Sequence, residues 1–122
     1  LNALTWANRV YVPIQTEYYA MEGVAQLLQT IEMAKTRLLN KDLELKGVFC
    51  TMYDGRRNLD KEVEKKIAEH FGNVLMATKI RENVKLAEAP AKGLTIYEHD
   101  PKSNGARDYT KLVEEFLERE EI

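Results

Sequence analysis

The sequence predicts an α/β fold: a parallel sheet of about three core strands with flanking helices, three layers in all. Three observations predict it. Short β-branched and aromatic runs alternate with stretches whose apolar residues recur every three or four positions. Their order is β-α-β-α-β-loop-α, and connections of helix length between strands favour parallel pairing with right-handed crossovers. The run Val48-Phe-Cys-Thr-Met52 is apolar enough to be buried on both faces, as in sheets covered on both sides.

The first strand is Arg9-Val-Tyr-Val-Pro-Ile14, with Pro13 marking its end. Over residues 21–39 the period changes. Val24, Leu27, Leu28, Ile31 and Leu38 share one helical face, and Asn40 is the stop. Residues 45–52 form the second strand. Asp54-Gly55 marks a turn in the polar loop 53–58. Asn58 is expected to cap a helix carrying Leu59, Val63 and Ile67 and ending near Gly72. Residues 74–80 read as the third strand. Residues 81–103 are mostly loop, with a short helical turn at 84–89 and an extended piece at 94–97. Ser103 or Asn104 caps a last helix whose inner face is Tyr109, Leu112, Val113, Phe116 and Leu117. A three-stranded parallel sheet leaves two open edges, and the chain begins at Leu1. Both points suggest that residues 1–122 are one part of a larger single domain.

Composition excludes several classes. With 44% hydrophobic and 31% charged residues, the chain is neither disordered nor collagen-like. A formal net charge of −2 gives no global attraction to nucleic acid, which leaves local patches. No apolar run reaches the ~18 residues that span a bilayer. The single cysteine, Cys50, has apolar neighbours and reads as a small buried residue in a cytoplasmic protein. There is no phosphate loop ending in Lys-Ser/Thr, no Gly-x-Gly-x-x-Gly and no Gly-x-Ser-x-Gly. His70, in the last turn of a helix, and His99, in a polar loop, have no metal-ligand spacing to Cys50. The pairs Glu114-Glu115 and Glu120-Glu121 read as the solvated face of the last helix.

Two loops stand out because each follows a buried strand at its C-terminal end, where open α/β sheets bind ligands. They carry Arg56, Arg57, Lys79, Arg81 and Lys85. Adjacent strands would gather these cations into a patch able to hold nucleic-acid phosphates without reading sequence. The simpler alternative is solvated cations balanced by Asp54, Glu82 and Glu88.

Four strings, in order, carry a family resemblance. They are Asn2-Ala-Leu with Val12-Pro-Ile-Gln-Thr-Glu-Tyr-Tyr-Ala-Met-Glu-Gly23; Gly47-Val-Phe-Cys-Thr-Met-Tyr-Asp-Gly-Arg-Arg-Asn-Leu59; Asn83-Val-Lys-Leu-Ala-Glu-Ala-Pro90; and Tyr97-Glu-His-Asp-Pro-Lys-Ser-Asn-Gly-Ala106. Together they resemble the C-terminal half of the ParA/Soj chromosome- and plasmid-partitioning ATPases, a deviant Walker A family, and the chromosomal Soj branch above all. The resemblance implies a longer parent that binds ATP and Mg²⁺, closes into a nucleotide-dependent homodimer, binds DNA nonspecifically and is stimulated by a ParB-type partner. Such a parent is cytoplasmic and nucleoid-associated.

The phosphate loop lies outside the matched half, so no catalytic residue and no cofactor is expected of this chain alone. By resemblance, Arg56 and Lys85 are DNA-binding positions. Met52 and Asp54, with Arg81, Glu82, Asn83 and Val84, correspond to the adenine side of the nucleotide site. The chain departs from the commoner Ile-Pro-Arg-Asn at Ile80-Arg-Glu-Asn83. Gln15 and Glu17 resemble positions near the nucleotide and dimer face, with no role assigned. MinD relatives end in a basic membrane-binding helix, whereas residues 104–122 here hold three basic and six acidic side chains, which disfavours a membrane. The alternative from another class is a stand-alone, non-catalytic interaction module that pairs through its open sheet edge.

Overall fold

The computed structural model describes residues 8–16, 25, 26, 29–33, 36 and 42–120. The expected positions Val24, Leu27, Leu28, Leu38 and Asn40, with Glu17 and Asn2-Ala-Leu, lie outside the described residues. Strands β1 (Arg9–Gln15) and β2 (Glu44–Thr51) pair in parallel, with Val12 opposite Val48 and Ile14 opposite Cys50. Between Val10 and Tyr11 the register shifts, so that Tyr11 lies opposite Gly47 and Lys46 is the extra residue of a bulge. Residues 25, 26, 29–33 and 36, between the strands, are helical as expected.

Each face of this small sheet has its own cover. On one face Ile14, Val48 and Cys50 pack against Val63 and Ile67 of α1 (Asn58–Phe71). Ile31 of the helical stretch joins Leu43, Val10 and Leu45 beside them. Fully burying an aliphatic side chain contributes roughly 1.5–3 kcal/mol, so these clusters hold the layer together. On the other face the Tyr11 ring lies over Gly47. A Cβ there would come within 2.6 Å of the Tyr11 ring, and that clash is why the position has no side chain. The same ring meets Phe116 edge-on at 4.8 Å, bringing the last helix onto the sheet.

The third strand is a path rather than a ladder. Residues 75–81 run parallel to β2, bridged at Val48–Leu75 and Tyr53–Arg81. Met76 N–H donates to the Val48 carbonyl at 2.7 Å, but the next bond to β2 comes four residues on, from Ile80 to the Cys50 carbonyl at 2.8 Å. A regular parallel ladder donates from every second residue. The intervening Ala77 and Thr78 amides turn outward and donate to the Glu115 carboxylate at 2.9 and 2.8 Å. The expectation of three regular strands therefore becomes two strands and a bridged segment.

After α1 and a single 3₁₀ turn (Gly72–Val74) come α2 (Val84–Ala91), α3 (Ile96–His99) and α4 (Asn104–Glu120). Four expectations need correcting here. Asn58 is the first helical residue of α1 and makes no side-chain cap; the cap position is Arg57. Residues 94–97 are not extended, because Thr95 and Glu98 form a capping box that starts α3 at Ile96. His99 is therefore helical, with a side chain only 9% exposed, rather than a loop residue.

The inner face of α4 is the fourth correction. Ser103 caps the helix through its Oγ, which accepts the Ala106 N–H at 3.1 Å. Val113 is 51% exposed and Phe116 and Leu117 are 36% and 38% exposed, Phe116 meeting the sheet through its edge contact with Tyr11, and the buried positions are Gly105, Ala106 and Asp108. Glu115 and Glu120 are not solvated but inward-facing. Glu115 takes the amides of the third segment, and Glu120 accepts the Tyr11 hydroxyl at 2.6 Å and pairs with Arg9 at 2.7 Å. The helix is thus fastened to the sheet through polar groups.

Candidate nucleotide-side loops and basic surface

Because the strands are parallel, the C-terminal ends of β1, β2 and the bridged segment lie at one end of the sheet. Two loops leave from there. The chain exits β2 at Met52 in a left-handed conformation (φ 52°), unusual for a residue with a side chain. It then turns through Tyr53, Asp54 and Gly55 into α1. The second loop, residues 81–83, leads into α2, where the Asn83 side chain accepts the Lys85 N–H at 2.9 Å and caps the helix.

The two loops are stitched side by side. Tyr53 N–H donates to the Ile80 carbonyl at 3.1 Å, and Glu82 N–H donates to the Tyr53 carbonyl at 3.0 Å. Arg57 adds side-chain links. Its guanidinium donates to the Met52 carbonyl at 2.9 Å and pairs with Asp60 at 3.1 Å and with Glu82 at 3.3 Å. Asp60 is fully buried in the first turn of α1, where a negative charge suits the helix N-terminus. One of its oxygens also takes the Asp54 N–H at 2.8 Å, while Oδ1 has no hydrogen-bond partner among the described residues.

Each of the five loop cations has a carboxylate. Arg56 grips Asp54 with two bonds, at 3.0 and 2.9 Å. These bonds and the Arg56 amide pull the Asp54 carboxyl down to a pKa of about 2. Lys79 pairs with Glu64 at 3.0 Å and sits 5.2 Å from the Tyr53 ring centroid. Arg81 is held by Asp108 at 2.9 Å. Lys85 reaches Glu88 at 3.5 Å. Asp54, Glu82 and Glu88 do balance these cations, as the simpler reading has it. Exposure still separates the five, because the Arg56 side chain is 91% exposed and the carboxylate it grips lies on its own loop. No contact joins Arg56 to Lys85 among the described residues; the loops that carry them are what the stitching brings together.

The adenine-side candidates divide in the same way. Asp54, Arg81, Glu82 and Asn83 spend their side chains on the protein itself. Val84 is 68% exposed, and Met52 offers mainly its main chain. Gln15 lies exposed at the end of β1. Sequence reading missed Asp60, Asp108 and Glu115. The spacing of Arg57 and Asp60, three residues apart at a helix start, was a visible signal for the first. Nothing local pointed to Asp108, whose partner is 27 residues away, and for Glu115 the one local signal was the spacing to Arg119, its amide partners lying 37 and 38 residues away. Among the described residues no group of acids, histidines or cysteines could hold a metal ion, and no helix is long and apolar enough to cross a membrane.

Comparison with known proteins follows this geometry. A family model described as an AAA domain matches residues 1–45. The chain is 50% identical over 119 residues to the chromosome-partitioning ATPase Soj of Thermus thermophilus, covering 98% of this chain and 47% of that protein. It is 45% identical over 120 residues to the Treponema pallidum chromosome-partitioning ATPase Soj, again covering 98% and 47%. It is 43% identical over 115 residues to the sporulation initiation inhibitor protein Soj of Bacillus subtilis, covering 94% and 45%. The chain thus spans about half the length of the curated relatives it matches. Over the region it spans, the chain is similar to the ParA/Soj chromosome-partitioning ATPases.

Proposed function

We propose that this chain is the C-terminal half of a ParA/Soj-type ATPase domain, and that the whole protein hydrolyses ATP to partition DNA. The observation that carries this reading is the pair of stitched loops at the C-terminal end of a parallel sheet, one of them presenting the exposed Arg56. In the parent, Arg56 and Lys85 contact DNA phosphates, which gives affinity without sequence reading. Asp54 takes two of the Arg56 N–H donors and offsets its charge, so DNA phosphate competes with an internal carboxylate.

The same loops form the adenine side of the nucleotide site. With the side chains of Arg81, Glu82 and Asn83 engaged, adenine is met by main-chain groups and by the exposed Val84. Such an edge suits a flat, apolar base. When bound, ATP with Mg²⁺ supplies the transferable phosphoryl group. Its triphosphate and the metal are held by the other half of the domain, since the described residues here offer no acid cluster for a metal. This reading extends to a nucleotide-dependent homodimer and to a ParB-type partner that stimulates hydrolysis on the nucleoid. β1 has β2 on one side only among the described residues. That free edge is where the rest of the parent sheet continues. In a stand-alone module, it would instead be where a partner strand adds.

The test uses the full-length protein and duplex DNA of arbitrary sequence. Arg56→Ala and Lys85→Ala are each expected to weaken DNA binding about tenfold and to lower the salt slope by about 1. Binding unchanged in both variants would remove the DNA surface from these loops.

A further inference from the structure

The Arg81–Asp108 pair holds main chain as well as charge. The Arg81 N–H donates to Asp108 Oδ2 at 2.9 Å, its Nε donates to the same oxygen at 3.0 Å, and its Nη2 donates to Oδ1 at 2.9 Å. Asp108 is only 3% exposed. Its helix is placed independently of this pair, by the Ser103 cap, by the close approach of Gly105 to Leu86 and by the Glu115 bonds. Asp108 is therefore a fixed anchor, and Arg81 is what it fixes.

The effect falls on three successive amides. Ile80 N–H goes to the Cys50 carbonyl, Arg81 N–H to Asp108, and Glu82 N–H to the Tyr53 carbonyl. The peptide units entering Arg81 and Glu82 are thereby set from two sides, by β2 and its loop and by α4. The unit entering Glu82 carries the Arg81 carbonyl, which accepts no hydrogen bond among the described residues. A carbonyl acceptor suits the exocyclic amino group of adenine and repels the O6 oxygen that guanine has in its place.

We propose that Asp108 is a positioning residue for nucleotide recognition. By holding Arg81 through its main-chain N–H and guanidinium, while Tyr53 holds the Glu82 N–H on the other side, it sets the Arg81 carbonyl between them to accept from adenine. This rests on the reading that residues 81–84 form the adenine side. Asp108 touches no nucleotide itself; it acts through Arg81.

The test measures ATP and GTP affinity and turnover in the full-length protein, with thermal stability followed in parallel. Asp108→Ala is expected to weaken ATP binding about tenfold, to leave GTP binding nearly unchanged, and so to reduce the ATP preference about tenfold. Turnover at saturating ATP stays within about twofold of the parent, since the phosphates are held elsewhere. Asp108→Glu recovers part of the preference. Should Asp108→Ala fail to fold, Asp108→Asn and Arg81→Met carry the same readout, and a combined Arg81→Met/Asp108→Asn protein is expected to be no worse than the weaker single variant. An ATP preference unchanged in the folded variants, whatever happens to stability, would overturn the proposal. Absence of any ATP preference in the unsubstituted protein would overturn the adenine-side reading and this inference with it.

Discussion

Glu115 closes the outer edge of the sheet by accepting the main-chain N–H of Thr78 at 2.8 Å, and that of Ala77 at 2.9 Å, where a neighbouring strand would otherwise pair. Arg119, one turn on, completes the closure. It donates to the carbonyls of Lys46, Val74 and Leu75 at 2.8 to 3.2 Å and pairs with Glu115 at 3.4 Å. The bulge at Lys46 and the irregular third segment thus have one cause in common, a helix that supplies side chains in place of a strand.

Glu115→Ala is expected to cost about 1–3 kcal/mol, because two amides lose their acceptor. Burial raises the Glu115 pKa, but the bonds from Thr78 and Ala77 and the charge of Arg119 outweigh it and hold the pKa below the usual 4.5. A depressed carboxyl stabilises the fold above its unfolded value and loses that contribution as pH falls through its folded one. Unfolding free energy measured downward from pH 5 should therefore drop less steeply in Glu115→Gln than in the parent. Hydrogen exchange at Ala77 and Thr78 should accelerate in both variants. Equal slopes and unchanged exchange would show that the carboxylate does not hold this edge.

Gly105 marks the tightest approach of α4 to α2. A Cβ at that position would lie 2.6 Å from Leu86 Cγ and 2.8 Å from its Cδ2. Leu86 branches at that carbon and cannot swing aside as a flexible end would, so one helix must shift. Gly105→Ala is expected to lower stability by about 1–3 kcal/mol. Truncating Leu86 to Ala in the same background should recover part of the loss. Denaturant midpoints of the single and double variants decide it, and additive losses would mean that the two residues do not collide.

What the sequence made legible was whatever a local period encodes. The β1 and β2 runs, the Val63–Ile67 spacing, the Ser103 start of α4 and the burial of Cys50 all follow from neighbours within a few residues. The polar fastening of α4 did not. An amphipathic reading placed Val113, Phe116 and Leu117 inside and Glu115 and Glu120 in water, because side-chain hydropathy carries no record of an unpaired sheet edge 37 residues upstream. For the same reason the cations of the two loops could be named, while Asp108, 27 residues from its partner Arg81, could not. The Ile80-Arg-Glu-Asn83 departure from the commoner motif gains a physical setting here, since Arg81 and Glu82 each meet a charge, Asp108 and Arg57, supplied from elsewhere in the chain.

Asp54 takes two of the N–H donors of Arg56 and offsets its charge, so it competes with any phosphate that approaches. Removing that competitor should therefore strengthen DNA binding on the reading proposed above. Asp54→Asn is expected to tighten nonspecific binding by the full-length protein severalfold at low salt, with the gain shrinking as salt rises. The Arg56→Ala change in the same background should abolish the gain. Equal affinity of Asp54→Asn and parent across a salt series would mean that Arg56 is not the group the DNA sees.

Met52 lies in the left-handed region with a full side chain, directly where β2 gives way to the loop that leads into α1. Its carbonyl accepts from Arg57 at 2.9 Å, so a side chain at the start of the next helix helps hold the conformation. A non-glycine residue there carries roughly 1–2 kcal/mol of steric strain, whereas glycine carries almost none. Met52→Gly should accordingly be more stable than Met52→Ala by about 1 kcal/mol, the reverse of the order expected at an ordinary extended position. Met52→Val should be the least stable of the three, because a branched Cβ crowds that backbone further. Thermal midpoints of the three proteins rank them directly. An alanine variant at least as stable as the glycine variant would show that the exit from β2 relaxes to a right-handed turn once the methionine is gone.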